Sequence, residues 1–371
     1  MDPLSDVLRA VRLDGAFFYL FEGRAPWAIS VGPARELVPP VLPQAEHLMA
    51  YHIVTSGSCW MGTTVDDLVE LHPGDAILFP HGDAHVASSR REGRSAGRYD
   101  HAPSRPLEQI RLGADQGERT DLVCGFLGCD TRPYNPLLSG LPRSVVVRGI
   151  AGGWLAEFPR QVVAEAWQHR AGGATMLTRM AELMFVEVLR RYSEDLAPRQ
   201  AGWLAGLRDP LVGAALALLH ERPAHPWTLA DLAREIATSR TILSERFSQT
   251  VGLAPMQYLT EWRLQLAAEQ LASGSRKVAA VAADVGYESE AAFSRAFKRR
   301  TGHAPATWRR LRQSPSARSA PERARGPAAE GGVALPHVRR HPAGRERGAD
   351  LDQSHDQMGL PHAVGEAEEP G

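Results

Sequence analysis

The chain has 371 residues and a formal net charge of −1. That length accommodates two domains and a tail. No run of about 18 apolar residues occurs, so no membrane span is expected, and a near-zero net charge by itself says nothing about nucleic acid. The first residues, MDPLSDVLRAVRLDG, lack the charged-then-apolar layout of a secretory leader, and a cytoplasmic protein is expected.

Residues 1–152 read as mostly β. Short runs such as GAFFYLFEG, WAISVG, MAYHIVTSGSCWMG, AILFP and SVVVRG are rich in aromatic and β-branched residues, and Gly, Pro and Asp bound them. Many short strands at this spacing predict a sandwich or barrel. Within Leu71–Val86, LHPGDAILFPHGDAHV, the residues Gly74, Pro80, Gly82 and His85 form Gly-x5-Pro-x-Gly-x2-His. Gly-Asp makes the turn before a buried strand, and Pro-x-Gly makes the turn after it.

That stretch resembles the second motif of the cupin superfamily, whose matching His ligates a metal together with an earlier His-x-His. The earlier motif is not intact here: HLMAYHIVTSGSCWM offers only His47 and His52. A catalytic metal wants about three protein ligands and an open position. No metal, cofactor or catalytic residue is therefore expected. His52, Trp60 and His85 are the candidate lining of an effector pocket in a non-catalytic barrel, and a metal-dependent cupin enzyme is the alternative. Cys59, Cys124 and Cys129 are too few and too unevenly spaced for a disulfide framework or a complete zinc site. They read as small buried apolar residues, with a redox-sensing pair left open. TDLVCGFLGCDTRPYNPLLSGLP contains a buried strand through Leu122, Val123, Phe126 and Leu127, and a turn opened by Asn135-Pro136.

From residue 153 to 196 the period becomes helical. Leu155, Phe158, Val162 and Val163 suit one helix, with Pro159 near its start. Met176, Met180, Leu183, Met184, Val188 and Leu189 suit a second, after a break at Gly172-Gly173. The Met-rich stripe reads as core or dimer surface. Residues 197–207 read as a linker. A new helix starts at Asp209-Pro210, where Asp can cap and Pro fits the first turn.

Two similar units follow. In the second, Val278, Val281, Ala282 and Val285 share one helix face and Gly286 ends the helix. Ser289 caps the next helix, with Phe293 and Phe297 inward and Ser294, Arg295 and Lys298 outward. In the first unit, Leu229, Leu232, Ala233 and Ile236 match the first four of these residues at an offset of 49. Leu243, Phe247, Gly252 and Pro255 match Phe293, Phe297, Gly302 and Pro305 at an offset of 50. Helix, tight turn and helix with polar outward residues describe a helix-turn-helix, and here it is repeated. The amphipathic stretch Met256–Ser273 is the spacer, with Tyr258, Leu259, Trp262 and Leu266 as its buried stripe. Residues 228–312 hold 13 Lys/Arg against 8 Asp/Glu, which suits a phosphate backbone.

GYESEAAFSRAFKRRTGHAPATWR resembles the signature of the AraC/XylS family of bacterial transcription regulators, and the likeness runs from about Trp227 to Arg312. It implies a sequence-specific regulator of double-stranded DNA, more often an activator. It also implies RNA polymerase as a partner, an unknown small-molecule effector, and a homodimer. The positions matching the family's DNA contacts are Arg240, Thr241, Ser244 and Glu245 in the first unit. In the second they are Glu290, Ala291, Ala292, Ser294 and Arg295, and Lys298 is added as a phosphate contact. The fold class expected is α+β multidomain: an N-terminal cupin-like β-barrel followed by helices, then an all-α double helix-turn-helix domain at 208–312. Residues 313–371 contain no Phe, Trp, Tyr or Ile, and a disordered tail is expected there.

Overall fold

The computed structural model describes residues 2–11, 13–43, 45–93, 108–149, 157–168, 171–196 and 200–313. The expected disordered tail lies outside these residues apart from Gln313, as does Leu155 of the expected helical segment.

The N-terminal half is a two-layer β structure. Its strands are β1 (Leu13–Arg24), β2 (Ala28–Val31), β3 (His47–Ser56), β4 (Cys59–Thr63), β5 (Val69–Leu71), β6 (Ala76–Phe79), β7 (His85–Ser88), β8 (Glu108–Gly113), β9 (Arg119–Cys129) and β10 (Val145–Val147). Six form one sheet in the order β10-β6-β3-β9-β1-β8, and four form another in the order β2-β7-β4-β5. Pairing is antiparallel except for β1 with β8. Among the described residues, the expected barrel is thus a cupin-like sandwich whose sheets are not joined into one hydrogen-bonded ring.

Alternation along the strands sorts side chains between two cores. Phe17, Tyr19 and Phe21 of β1, Ala50 and Val54 of β3, and Leu122, Cys124 and Phe126 of β9 fill the space between the sheets. Their neighbours Phe18, Met49, Tyr51, Ile53, Val123 and Leu127 face the other way, onto helices. The strands β3, β6 and β9 are therefore buried on both faces over most of their length and read as near-continuous apolar runs, whereas the edge strand β8 is mostly polar and exposed.

The sequence predicts mostly β for residues 1–152, but among the described residues three helices lie between those strands: α1 (Pro3–Val11), α2 (Ala34–Val41) and α3 (Pro136–Gly140). Asn135 caps α3 by accepting from the Leu138 amide. The helices α4 (Phe158–Gln168) and α5 (Gly173–Asp195) pack on the large sheet through Phe158, Val162, Leu177, Ala181, Met184, Phe185 and Val188. The 197–207 stretch, expected as a linker, holds most of a helix, α6 (Trp203–Arg208). Trp203 is 1% exposed and its indole N–H donates to the Tyr258 hydroxyl at 2.8 Å.

The rest is helical: α7 (Pro210–Glu221), α8 (Leu229–Glu235), α9 (Arg240–Val251), α10 (Pro255–Ser273), α11 (Val278–Asp284), α12 (Glu290–Thr301) and α13 (Pro305–Gln313). Helix α10 joins two cores. Tyr258, Leu259 and Trp262 belong to the core shared by the sheet helices and the first unit. Leu264, Ala267, Ala268 and Leu271 belong to a second core with α11, α12 and α13. The stripe expected on this helix is only one of its buried faces, because three bodies pack around it. Gln265 faces the third: its carbonyl accepts from the Tyr134 amide at 3.1 Å, and its amide donates to the Ala10 carbonyl at 2.7 Å.

Candidate nucleic-acid interface and sensor pocket

Each helix pair is fixed by local chemistry. In the second unit, α11 ends in a Schellman motif: Tyr287 N–H donates to Ala282 O at 2.9 Å, and Gly286 N–H to Ala283 O at 3.0 Å. Gly286 sits at φ 85°, and a Cβ there would lie 2.7 Å from the Ala224 carbonyl oxygen, so the turn takes glycine for two reasons. Ser289 then accepts from the Ala292 amide and starts α12. The first unit repeats the motif, with Thr238 N–H to Ala233 O and Ala237 N–H to Arg234 O. Ala237 holds φ 52° there without being glycine. Ser239 accepts from the Ile242 amide and starts α9, and Thr228 accepts from the Asp231 amide to start α8.

Buried Leu243 and Phe247 turn the opposite face of α9 outward, and buried Phe293, Ala296 and Phe297 do the same for α12. Arg240, Thr241 and Glu245 are exposed, with Ser244 half-buried. Glu290, Ala291, Arg295 and Lys298 are exposed, with Ala292 and Ser294 half-buried. Each expected set therefore lies together on the outer side of its own helix.

Neighbouring arginines divide by their partners. Arg246 is held by Asp209 at 2.6 Å, the same carboxylate that caps α7, and Arg300 is held by Glu261 at 2.5 Å. Among the described residues, the side chains of Arg240, Arg295 and Lys298 make no such pair and remain available to a partner. Sequence reasoning missed Ile242, which is 52% exposed on α9 beside Thr241. The signal was an apolar residue at a position the i, i+4 core spacing does not need.

In the sandwich, His52 on β3 and His85 on β7 meet across the layers, Nε2 to Nε2 at 2.9 Å. His85 stacks on Phe79 with ring centroids 4.1 Å apart. Its Nδ1 contacts the Asp83 carbonyl at 3.1 Å. A carbonyl only accepts, so His85 carries its proton on Nδ1, its Nε2 accepts, and His52 donates from Nε2. That leaves His52 Nδ1 as a buried acceptor with no partner among the described residues. Burial lowers the His85 pKa to about 4 and holds His52 well below the usual range. Trp60 is not with them; the guanidinium of Arg91 lies 5.5 Å from its ring. The three expected pocket residues thus resolve into one buried pair and one separate indole.

Two imidazoles are too small a donor set for a catalytic metal, and no group of three or more His, Cys, Asp or Glu that could hold a metal occurs among the described residues. The cysteines are all buried. Burial pushes the Cys59 thiol up to about 12 and raises Cys124 and Cys129 as well. Thiols held protonated and away from solvent are poor redox sensors.

A cupin family model matches residues 2–194, and a helix-turn-helix domain model matches residues 232–311. The chain is 33% identical over 318 residues to a protein of Streptomyces antibioticus named as an AraC-like transcription regulator, covering 84% of this chain and 99% of that one. It is 25% identical over 316 residues to the HTH-type transcriptional regulator AlkR of Acinetobacter baylyi, covering 83% and 99%. It is 26% identical over 271 residues to the RCS-specific HTH-type transcriptional activator RclR of Escherichia coli, covering 72% and 86%.

Proposed function

The chain belongs to the AraC-like transcription regulators, and from that premise we propose that its two helix-turn-helix units read one asymmetric duplex site under the control of the sandwich domain. It is a DNA-binding regulator; the residues that read DNA, and how they are governed, are this proposal. The carrying observation is that α9 and α12 present uncommitted cations on helices tied to a single spacer, α10.

The major groove admits a helix and displays each base pair as a distinct donor–acceptor pattern. Arg295 can contact guanine O6 and N7, or a phosphate. Glu245 and Glu290 are acceptors when ionised, which pairs them with cytosine N4. Ala291 and Ala292 carry no polar group, so the second unit contributes positioning as well as readout. Arg240 and Lys298 serve as phosphate contacts. The exposed methyls of Ile242 suit apolar contact with a thymine methyl.

The sandwich is proposed to sense a small molecule and to perform no catalysis, with His52 and His85 clamping its two sheets. A homodimer through α5, where Met176 and Leu183 are more than half exposed, is part of the same proposal. So are activation through RNA polymerase and a cytoplasmic location; no helix among the described residues is long and apolar enough to cross a membrane.

The test is a paired titration of wild type and Arg295→Ala against a preferred duplex and its scrambled counterpart. The expected loss is about 1–3 kcal/mol on the preferred duplex alone. Equal affinities of the variant and wild type on both duplexes contradict the role.

A further inference from the structure

The connection between α7 and α8, residues 222–227, is folded on itself. The Arg222 carbonyl accepts from the His225 amide and from the Trp227 indole, each at 3.1 Å. The Trp227 amide donates to the His225 carbonyl at 2.7 Å, and the Arg222 guanidinium lies over the Trp227 ring, 4.8 Å from its centroid. Trp227 is buried in the core of the first helix-turn-helix unit, so this loop is part of that unit.

The turn of the second unit lies against it. A Cβ added at Gly286 would sit 2.7 Å from the Ala224 oxygen, 2.8 Å from the Ala224 Cα and 2.9 Å from a terminal nitrogen of Arg263. Arg263 stands on α10 between Trp262 of one core and Leu264 of the other. Its Nε donates to the Pro223 carbonyl at 2.7 Å, and a terminal nitrogen donates to the His225 carbonyl at 2.8 Å. Among the described residues these two backbone carbonyls, and no carboxylate, hold the guanidinium. Its donors lie in one rigid plane, so two bonds from it set orientation as well as distance. One side chain of the spacer thus grips the first unit at the place where the second unit's turn touches it.

Helix α10 has 19 residues. A long helix can bend, and a helix alone leaves that movement to the units at its two ends. A second contact away from its axis removes it. We propose that Arg263 is a positioning residue that sets the separation of the two reading helices, and thereby the number of base pairs accepted between the two blocks of the DNA site. The proposal rests on the regulator reading, and it concerns spacing rather than base identity. One added base pair moves a block by about 3.4 Å and rotates it by about 34°. Two units joined both through α10 and through the 222–227 loop cannot follow that change.

The experiment has two readouts on the full chain. The first needs no DNA. Spin labels are placed at Gln249→Cys on α9 and Arg299→Cys on α12, both exposed positions, while the native cysteines are buried. The label-to-label distances are expected to form one narrow distribution with Arg263 present and a broader one in Arg263→Met. The second readout is the affinity for a duplex selected by the wild type, compared with versions carrying one base pair more or fewer between the blocks. This spacing penalty is a ratio within one protein, so a general loss of stability cancels. It is expected to be at least about tenfold in wild type and no more than about threefold in Arg263→Met. Arg263→Gln keeps a nitrogen at the place of Nε and loses the donor to His225, so it should fall between the two. If Arg263→Met does not fold, Arg263→Gln carries both readouts. A broad distribution or a tolerated extra base pair in wild type overturns the proposal. An unchanged distribution or an unchanged penalty in the folded variant overturns it as well. A chain that selects no duplex contradicts the regulator reading and leaves the label distances to decide whether Arg263 locks the units.

Discussion

Arg295 and Arg300 lie five residues apart on one helix, yet only Arg300 is committed, to Glu261. Both are cations of α12; the pairing that separates them comes from α10, 39 residues away in the chain. A cation in solvent is a phosphate candidate, whereas one already paired contributes less. Lys298→Ala should therefore lower affinity similarly on all duplexes and reduce the salt slope by about one. An unchanged slope in a salt titration removes Lys298 from the contact set. His85 is the residue where sequence and structure differ most in meaning. The motif showed one imidazole; the register of β3 against β6 and of β7 against β4 brings a second to it. Both are neutral when folded. Between an ordinary His pKa near 6.5 and about 4, the unfolded chain takes up a proton that folded His85 refuses. Stability should hold above about pH 6.5 and fall as the pH drops toward 4, by roughly 3 kcal/mol at most for this group. Urea unfolding at several pH values checks this. His85→Phe, which keeps the stack on Phe79, should flatten the acid limb, and a limb unchanged in that variant contradicts the assignment.

The two helix pairs show which parts of an element are legible locally. The caps at Thr228, Ser239 and Ser289 each act within three residues, which is why the one at Ser289 was readable. The spacing slip between the repeats was also readable, and it falls in the turn, where Thr238 stands opposite Tyr287-Glu288. Helix α1 was not recognised, although Asp2 caps it and Leu4, Val7, Leu8 and Val11 have helical spacing. A nine-residue helix has little stability of its own, and the burial that secures α1 comes from α7 and α10, more than 200 residues on. The turns themselves differ by one methyl. Ala237 occupies the left-handed conformation that Gly286 holds in the other unit. Ala237→Gly should stabilise the chain by up to about 1 kcal/mol. Gly286→Ala should cost more than about 1 kcal/mol, because it adds a clash with the Ala224 carbonyl to the strain. Denaturant midpoints compare the pair; a stabilising Gly286→Ala contradicts the turn account.

At the scale of the whole chain, the two halves are not beads on a string. One core runs from the large sheet through α5 and α6 into the first helix-turn-helix unit. Gln265 and Arg312 add polar ties from the sandwich to α10 and α13. The sequence separated these parts by composition because each has its own period, and a change of period says nothing about docking. Sharing α10 fixes the relation of α9 to α12, and successive major-groove openings on one face of B-DNA recur about every 34 Å. The most direct measurement of the central claim is selection of bound duplexes from a random pool by the full-length protein. The account predicts an enriched asymmetric motif of two blocks about one helical turn apart, whose second block loses its preference in Arg295→Ala. A pool that remains random, or a motif whose second block is unchanged in Arg295→Ala, would contradict it.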